Sequence, residues 1–489
     1  MWHIFWPHRR QARSKKKPAR YRLCLEVLEG RCLPSTLTVL NTADSGPGSL
    51  RAAIAAAQSR DTIVFDPGLA GQTINLTSGE LVINQSLDIE GPGSNQLVVG
   101  ITSNGTSRVF DITNRSSTVT LANLGMNGVA TQGGAIFDAG ATVNLVDDAI
   151  FGSAQGVAGV AGSPGGDGQG GAIYQAGGSL TLTQCRLFGF AIGGDGGNDA
   201  AGGAGLGGDI YNAGGVLTVN NSSFFDAQAV GGSGTVGGTG AGGGIYDAAG
   251  TTTTISNTVY ETGTDVEVLG GTSTVAGVAG GAALGASIYQ AGGSLTVTGT
   301  QVLFGTELRA GLSSTGTVTG VAAGALLYMA GGNVSMVNTS IQAVTLQGGT
   351  VLGGGVYQAA GNLSMTNCTV VGVLAASNGA ALGGGVYQAA GNLSLTNCTV
   401  SGAFTVSGDF VARRTGDALG GGIYVGGGTT TIQKCAFEYD SAVSGLGGEG
   451  IGGAIYIDGG SVCISNSTTF AFNFASTSNN DIFGTYTVC

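Results

Sequence analysis

LGGGVYQAAGNLSMTNCTVVG, residues 352–372, is matched by LGGGVYQAAGNLSLTNCTVSG, residues 382–402, whose start lies 30 residues further on. The two differ only at Met365/Leu395 and Val371/Ser401. A period of that length is the mark of a solenoid, in which each unit buries its apolar face only against the next copy. Outward from this pair, the aromatic recurs at Phe137, Tyr174, Tyr211, Tyr246, Tyr289, Tyr328, Tyr357, Tyr387, Tyr424 and Tyr456, ten units in all.

With the aromatic as position zero, every copy can be read in one register. Position +6 is aliphatic in eight copies and +8 is Leu, Val, Ile or Met in nine, failing only at Thr254. The residue between them is Ser or Thr in eight. Alternation with period two puts +6 and +8 on one face of a strand and the hydroxyls on the other. Position +13 is apolar in nine copies, including Ile150, Phe224, Val302, Ile341 and Phe437, which predicts a second strand. The GGxIY stretch, always aliphatic just before the aromatic, predicts a third. The fold expected is all-β, a right-handed parallel β-helix solenoid with coils stacked ~4.8 Å apart.

Position +10 falls at a bend and carries Asn221, Asn338, Asn367, Asn397 and Asn466, with Gln184 and Asp147 in other copies. Asn tolerates left-handed backbone and can pair with its own kind one coil away, so an internal amide ladder is expected. Position +11 carries Cys185, Cys368, Cys398 and Cys435. These read as small buried apolar groups, because no CxxC spacing or histidine partner supplies a zinc site. No metal and no cofactor is expected.

Composition excludes other classes. Of 489 residues, 95 are Gly and only 7 Pro, with no G-X-Y period, so this is not collagen. No run of 18 apolar residues predicts a membrane helix. Nine of the 18 Lys and Arg lie in the first 31 residues, leaving nine basic against 27 acidic groups from residue 32 onward, a net of −18. Such a body repels phosphate backbones, so nucleic acid is not an expected partner.

Along the chain, residues 1–35 read as a basic leader without the apolar core of an ordinary secretory signal. Residues 36–130 hold an N-terminal cap and about three compact turns, and residues 131–489 the Gly-rich repeats. Ser49 can cap a helix whose Leu50, Ala53, Ile54 and Ala57 share one face, suited to closing the open end of a β-helix before a first strand at residues 62–65. The Gly-rich stretches between units are expected to be mobile, solvated excursions on one side. One of them, GGDGGNDAAGG at residues 193–203, half-matches a calcium nonapeptide but is read as a plain loop. Cys463 and Cys489 are equally readable as a disulfide or as two free thiols.

With these residues in view, the chain resembles the bacterial polymorphic outer membrane protein type of β-helix, whose repeats carry GGA(I/V/L) and FxxN. Residues 134–136, 171–173 and 453–455 match the first element, and Phe470-Ala471-Phe472-Asn473 the second. LEVLEGRCLPS, residues 25–35, resembles the LEPLEDR-type leader of large exported bacterial proteins, and residues 49–54 an SLREAI-like entry sequence. The resemblance implies a protein outside the cell, at the surface or outer membrane, of a kind whose relatives are implicated in adhesion. The chain departs from the pattern in having no large C-terminal alternating segment, so export through its own barrel is not expected.

Enzymatic β-helices remain the rival class, since polysaccharide lyases and glycoside hydrolases also use this fold. Those resembling enzymes need clustered carboxylates with a nearby His, Lys or Arg. The sequence has only His3 and His8, both in the leader, and its best grouping is Asp409, Arg413, Arg414 and Asp417. No catalytic residue is assigned. The candidate ligand-binding residues are the aromatics Tyr174, Tyr211, Tyr246, Tyr289, Tyr328, Tyr357, Tyr387, Tyr424 and Tyr456, which would suit stacking on sugars if they face outward and are core if they do not. Position +1 is often polar, as at Asp138, Gln175 and Gln358, so the strand is expected to end or bulge at the tyrosine. The partner expected is a polysaccharide or another cell-surface component.

Overall fold

The computed structural model describes residues 34–92, 99–105, 107–261, 267–302, 307–407, 416–445 and 447–489. Residues 1–33 of the leader therefore lie outside the described residues, as do Asp409, Arg413 and Arg414.

The body is a parallel β-helix, and one coil shows the path. Ile173–Gln175 lies in a tyrosine sheet, Ser179–Thr183 in a hydroxyl sheet, Arg186–Ile192 in a broad sheet and Gly205–Leu206 in a short glycine sheet. Ile210–Asn212 then pairs in parallel with Ile173–Gln175, and the circuit repeats. The hydroxyl sheet gathers 15 strands, the tyrosine sheet 13 and the glycine sheet nine. Equivalent positions pair coil after coil, as Leu180 with Leu217 and Tyr357 with Tyr387.

Alternation sets which residues face in. Leu180 and Leu182, Leu363 and Met365, and Leu393 and Leu395 are all buried, as is the −1 aliphatic of each tyrosine strand. Burying one such side chain contributes about 1.5–3 kcal/mol, and every coil repeats the set. The exception at Thr254 is one of register: residues 247–252 hold one residue more than 212–216, so Thr253 pairs with Leu217 and Ile255 with Val219. Thr254 faces outward, and the apolar column runs on through Ile255.

The corner between hydroxyl and broad sheets uses left-handed backbone at Asn123, Asp147, Gln184, Asn221, Asn257, Asn338, Asn367, Asn397 and Lys434, with φ of 48 to 58°, and at Gly299. A short amide can adopt this conformation where most side chains cannot. Leu50–Ala56 is the N-terminal helix, capped by the Ser49 hydroxyl, and Leu50, Ala53, Ile54 and Ala57 join the core. It does not precede the first strand, because Thr36–Val39 lies before it and pairs with Asp61–Phe65. Cys463 and Cys489 form a disulfide, 5.7 Å between Cα atoms, beside the pairing of Cys463 with Thr487.

The Gly-rich excursions lie on one side, as expected, with exposed tips such as Val157 and Val160, but their backbones are tied to one another rather than left as separate loops. The N–H groups of Gly156, Gly159, Gly162, Gly165 and Gly168 donate to the carbonyls of Ile192, Asp195, Asn198, Ala201 and Ala204 at 2.7–3.0 Å. One bond every third residue is the repeat of extended, three-residue-per-turn chains, which have no internal bonds and must pair with neighbours. A second thread stitches outgoing and returning arms: Gly194 donates to Gly166, Gly203 to Gly194, Gly232 to Gly203, Gly238 to Gly232 and Gly271 to Gly238. Backbones approach so closely that a Cβ on Gly238 would meet the Gly203 carbonyl oxygen at 1.8 Å. Glycine is used here because nothing larger fits, and the calcium-like stretch 193–203 is simply one layer of this slab, with Asp195 accepting from the Ser233 N–H at 2.7 Å.

Candidate functional site

The tyrosine strands are three residues long, so the two flanking positions face in and the ring faces out. Phe137, the nine tyrosines and Phe483 form one outward column, with ring centroids 4.6–5.3 Å apart and planes within 1–20° of parallel. The Arg108 guanidinium sits over Phe137 at 4.8 Å. Each tyrosine thus spends both faces on its neighbours and leaves only its edge and hydroxyl to solvent. A sugar that stacks needs a free face, which this geometry denies along the column. Tyr424 donates to Asp458 at 3.1 Å, and burial raises the phenol pKa of Tyr174, Tyr211, Tyr289 and Tyr357.

The strand does not end or bulge at the tyrosine but runs one residue further and ends on the polar residue after the ring. Asp138, Gln175, Asn212, Asp247, Gln290, Gln358 and Gln388 point inward and are fully buried. They fasten the next bend: Gln358 Nε2 donates to the Gly361 and Asn392 carbonyls at 3.0 Å, and Asp138 accepts from Gly140 and Ala141 at 2.9 and 2.7 Å. A polar group at an inward position is tolerated because the turn supplies backbone partners. Burial pushes Asp138 up to about 6 against the opposing pull of those N–H groups. Asp247 is likewise raised to about 6 by burial, opposed by hydrogen bonds from Thr253 and Asn212.

The amide ladder exists in part, and on the outside. Asn367 donates to Asn338 at 3.2 Å and Asn397 to Asn367 at 2.7 Å, all three exposed. Asn221 is exposed at the same corner without an amide bond to a neighbouring coil, and Asn466 lies exposed in a turn outside the left-handed set. It is external because left-handed backbone turns the side chain away from the core.

A second ladder went unread in the sequence. Asn362 donates to Asn333 and Asn392 to Asn362, both at 2.7 Å, on the outward face of the hydroxyl sheet. Beside it stand Ser335, Ser364 and Ser394, paired in register, with Thr296 and Thr431 above and below. These residues line a shallow groove of about 450 Å³. Over residues 142–463 no outward position of this sheet is charged, from Thr142, Asn144 and Val146 in the first repeat to Ser461 and Cys463 in the last. The signal in the sequence is the absence of charge at +5, +7 and +9 together, of which the hydroxyls at +7 are only one row.

Other concavities differ in chemistry. One of about 720 Å³ near the N-terminal end is lined by Glu80 and Arg108, 3.4 Å apart, with Ser78 and Gln155. Arg108 also approaches Asp111 at 3.7 Å. Among the described residues, no group of three or more His, Cys, Asp and Glu is placed to hold a metal ion, and no helix is long and apolar enough to cross a membrane. Asp417 is exposed and accepts the Glu449 N–H at 3.0 Å. Cys185, Cys368, Cys398 and Cys435 are buried free thiols at the corner. No family model matches the sequence, and neither a curated protein nor a solved structure matches the chain.

Proposed function

We propose that this chain is an exported, non-enzymatic rod that serves as a structural or adhesive element at the cell surface, with the hydroxyl sheet as the face it presents. The observation that carries this reading is charge segregation. A body with 27 acidic and nine basic groups keeps the outward positions of this sheet uncharged across ten repeats, as it does those of the tyrosine and glycine sheets, and of the three only this one is lined mainly by hydroxyls and amides. Folding alone does not require this, since the broad sheet of the same coils carries Arg186, Glu307, Arg309 and Glu438 at its outward positions. A flat array of hydroxyls and amides recognises by many weak, repeated hydrogen bonds, which suits attachment rather than turnover.

The resemblance of residues 25–35 to an export leader supports placement outside the cell. Fractionation with protease shaving of intact cells tests it: the protein is expected in the surface fraction and cleaved from outside, and recovery only from the cytoplasm would defeat the reading. Among the described residues, the rival reading of a polysaccharide lyase or hydrolase has the Glu80–Arg108 concavity to draw on, and its other candidates Asp409, Arg413 and Arg414 lie outside them. Incubation with acidic and neutral polysaccharides, with and without calcium, is expected to yield retention without new reducing ends or unsaturated products.

A further inference from the structure

We infer that the groove on the hydroxyl sheet, bounded by Ser294, Asn333, Asn362, Asn392 and Thr429, binds an extended, uncharged, β-linked polysaccharide lying along the axis of the solenoid; this rests on the adhesive reading above and names its ligand class.

Chemical capacity comes first. In the ladder Asn333, Asn362 and Asn392, each amide-to-amide bond uses one N–H of the donor, and the second N–H of Asn362 and of Asn392 remains for a ligand. The hydroxyls of Ser335, Ser364 and Ser394 stand beside them with no hydrogen-bond partner among the described residues, as do those of Thr296 and Thr431. Each hydroxyl both donates and accepts. A sugar hydroxyl has the same dual character, so a row of Ser, Thr and Asn matches a polyol without leaving a charge to desolvate.

Periodicity selects the shape. Equivalent groups repeat at the strand spacing, ~4.8 Å along the axis. That is close to the advance per residue of an extended β-linked hexose chain, so each sugar meets one coil; successive residues are flipped and present opposite edges, which hydroxyls able to donate or accept can both meet. A helical or branched polymer loses register after a few residues. The groove spans the five coils that begin at Ser294, Asn333, Asn362, Asn392 and Thr429.

Charge selects against the alternatives. Acidic polysaccharides and nucleic acids meet a body of net −18 and find no cation on this face. The neighbouring tyrosine column offers edges rather than faces, so recognition here rests on hydrogen bonding, weak per residue and dependent on length.

The test uses the full chain and soluble β-1,4-linked gluco-oligosaccharides of increasing length, with binding followed by calorimetry and affinity electrophoresis. Affinity is expected to rise with length up to about the five residues that the groove holds, and to be unchanged between low and high salt, because no ion pair forms. Ser364→Glu, at an exposed position, is expected to weaken binding at least about tenfold by placing an unpaired carboxylate under the sugar, while the melting transition stays in place. Glu449→Gln, away from the groove, is expected to leave binding unchanged. Absence of length dependence, equal binding by Ser364→Glu, or binding only to acidic polymers in a salt-sensitive way would overturn the inference. So would a dimer in sedimentation that Ser364→Glu dissociates, since the face would then serve a second copy. Failure of these arms with the protein still found on the cell surface sinks the ligand class alone; a cytoplasmic protein sinks the adhesive reading whatever it binds.

Discussion

Asp440 shows how much a single residue can make the stack depend on pH. Its Oδ1 accepts the Ala403 N–H at 2.9 Å, while Oδ2 is buried without a partner. Burial pushes its pKa up to about 8, the Ala403 bond opposing and Glu438 adding to the rise. Below about pH 4 folded and unfolded states both hold the proton, and the group costs nothing. Between about 4 and 8 the unfolded state loses its proton first, so stability falls as pH rises. Asp440→Asn is expected to flatten that fall and to stabilise the protein at pH 8 by about 2–4 kcal/mol relative to its effect at pH 4, read by urea titration at both values. The slab glycines make an independent case. Gly238→Ala drives a Cβ into the Gly203 carbonyl and should cost at least about 2–4 kcal/mol, whereas Gly331→Ala meets Ala291 only at an ordinary 3.6 Å and should stay within about 0.5 kcal/mol.

At the scale of elements, the tyrosine column is a rib that every coil extends by one ring. Stacked aromatic pairs contribute about 0.5–1.5 kcal/mol beyond the area they bury. Tyr357→Ala with Tyr387→Ala opens a two-ring gap and is expected to lower stability by about 2–4 kcal/mol while leaving binding in the groove intact. Tyr357→Phe should be nearly neutral, since that hydroxyl has no partner in the protein, and Tyr424→Phe should lose the bond to Asp458. A glycan affinity that fell with the column while the melting temperature stayed put would return the rings to a binding role. The inward Gln and Asp residues act as bend fasteners. Their meaning was hidden in the sequence because period two alone assigns them to the core face and says nothing of the carbonyls waiting there.

For the whole molecule, stability is a sum of coils and the contacts between neighbours. Removing residues 353–382 excises one full repeat and joins Leu352 to Gly383 in register. The product is expected to unfold in one cooperative transition, slightly lower in temperature. Removing residues 353–367 instead breaks the register of every later coil and should abolish cooperative unfolding. If both deletions behaved alike by calorimetry, the additive account of the stack would be wrong.

The repeat by itself determined the coil, the inward aliphatics and the left-handed corner, and the stretch after Ser49 its capped helix, because each follows from local periodicity or from one residue's backbone or capping preference. Thr254 misled only through a one-residue insertion that pairing absorbs. What tertiary structure alone decided lies between coils. Stacking covers the tyrosine faces, joins the outward Asn side chains into ladders and binds the Gly-rich stretches into a slab. Those outcomes depend on which atoms of one coil meet which atoms of the next at about 4.8 Å, a distance no single repeat contains.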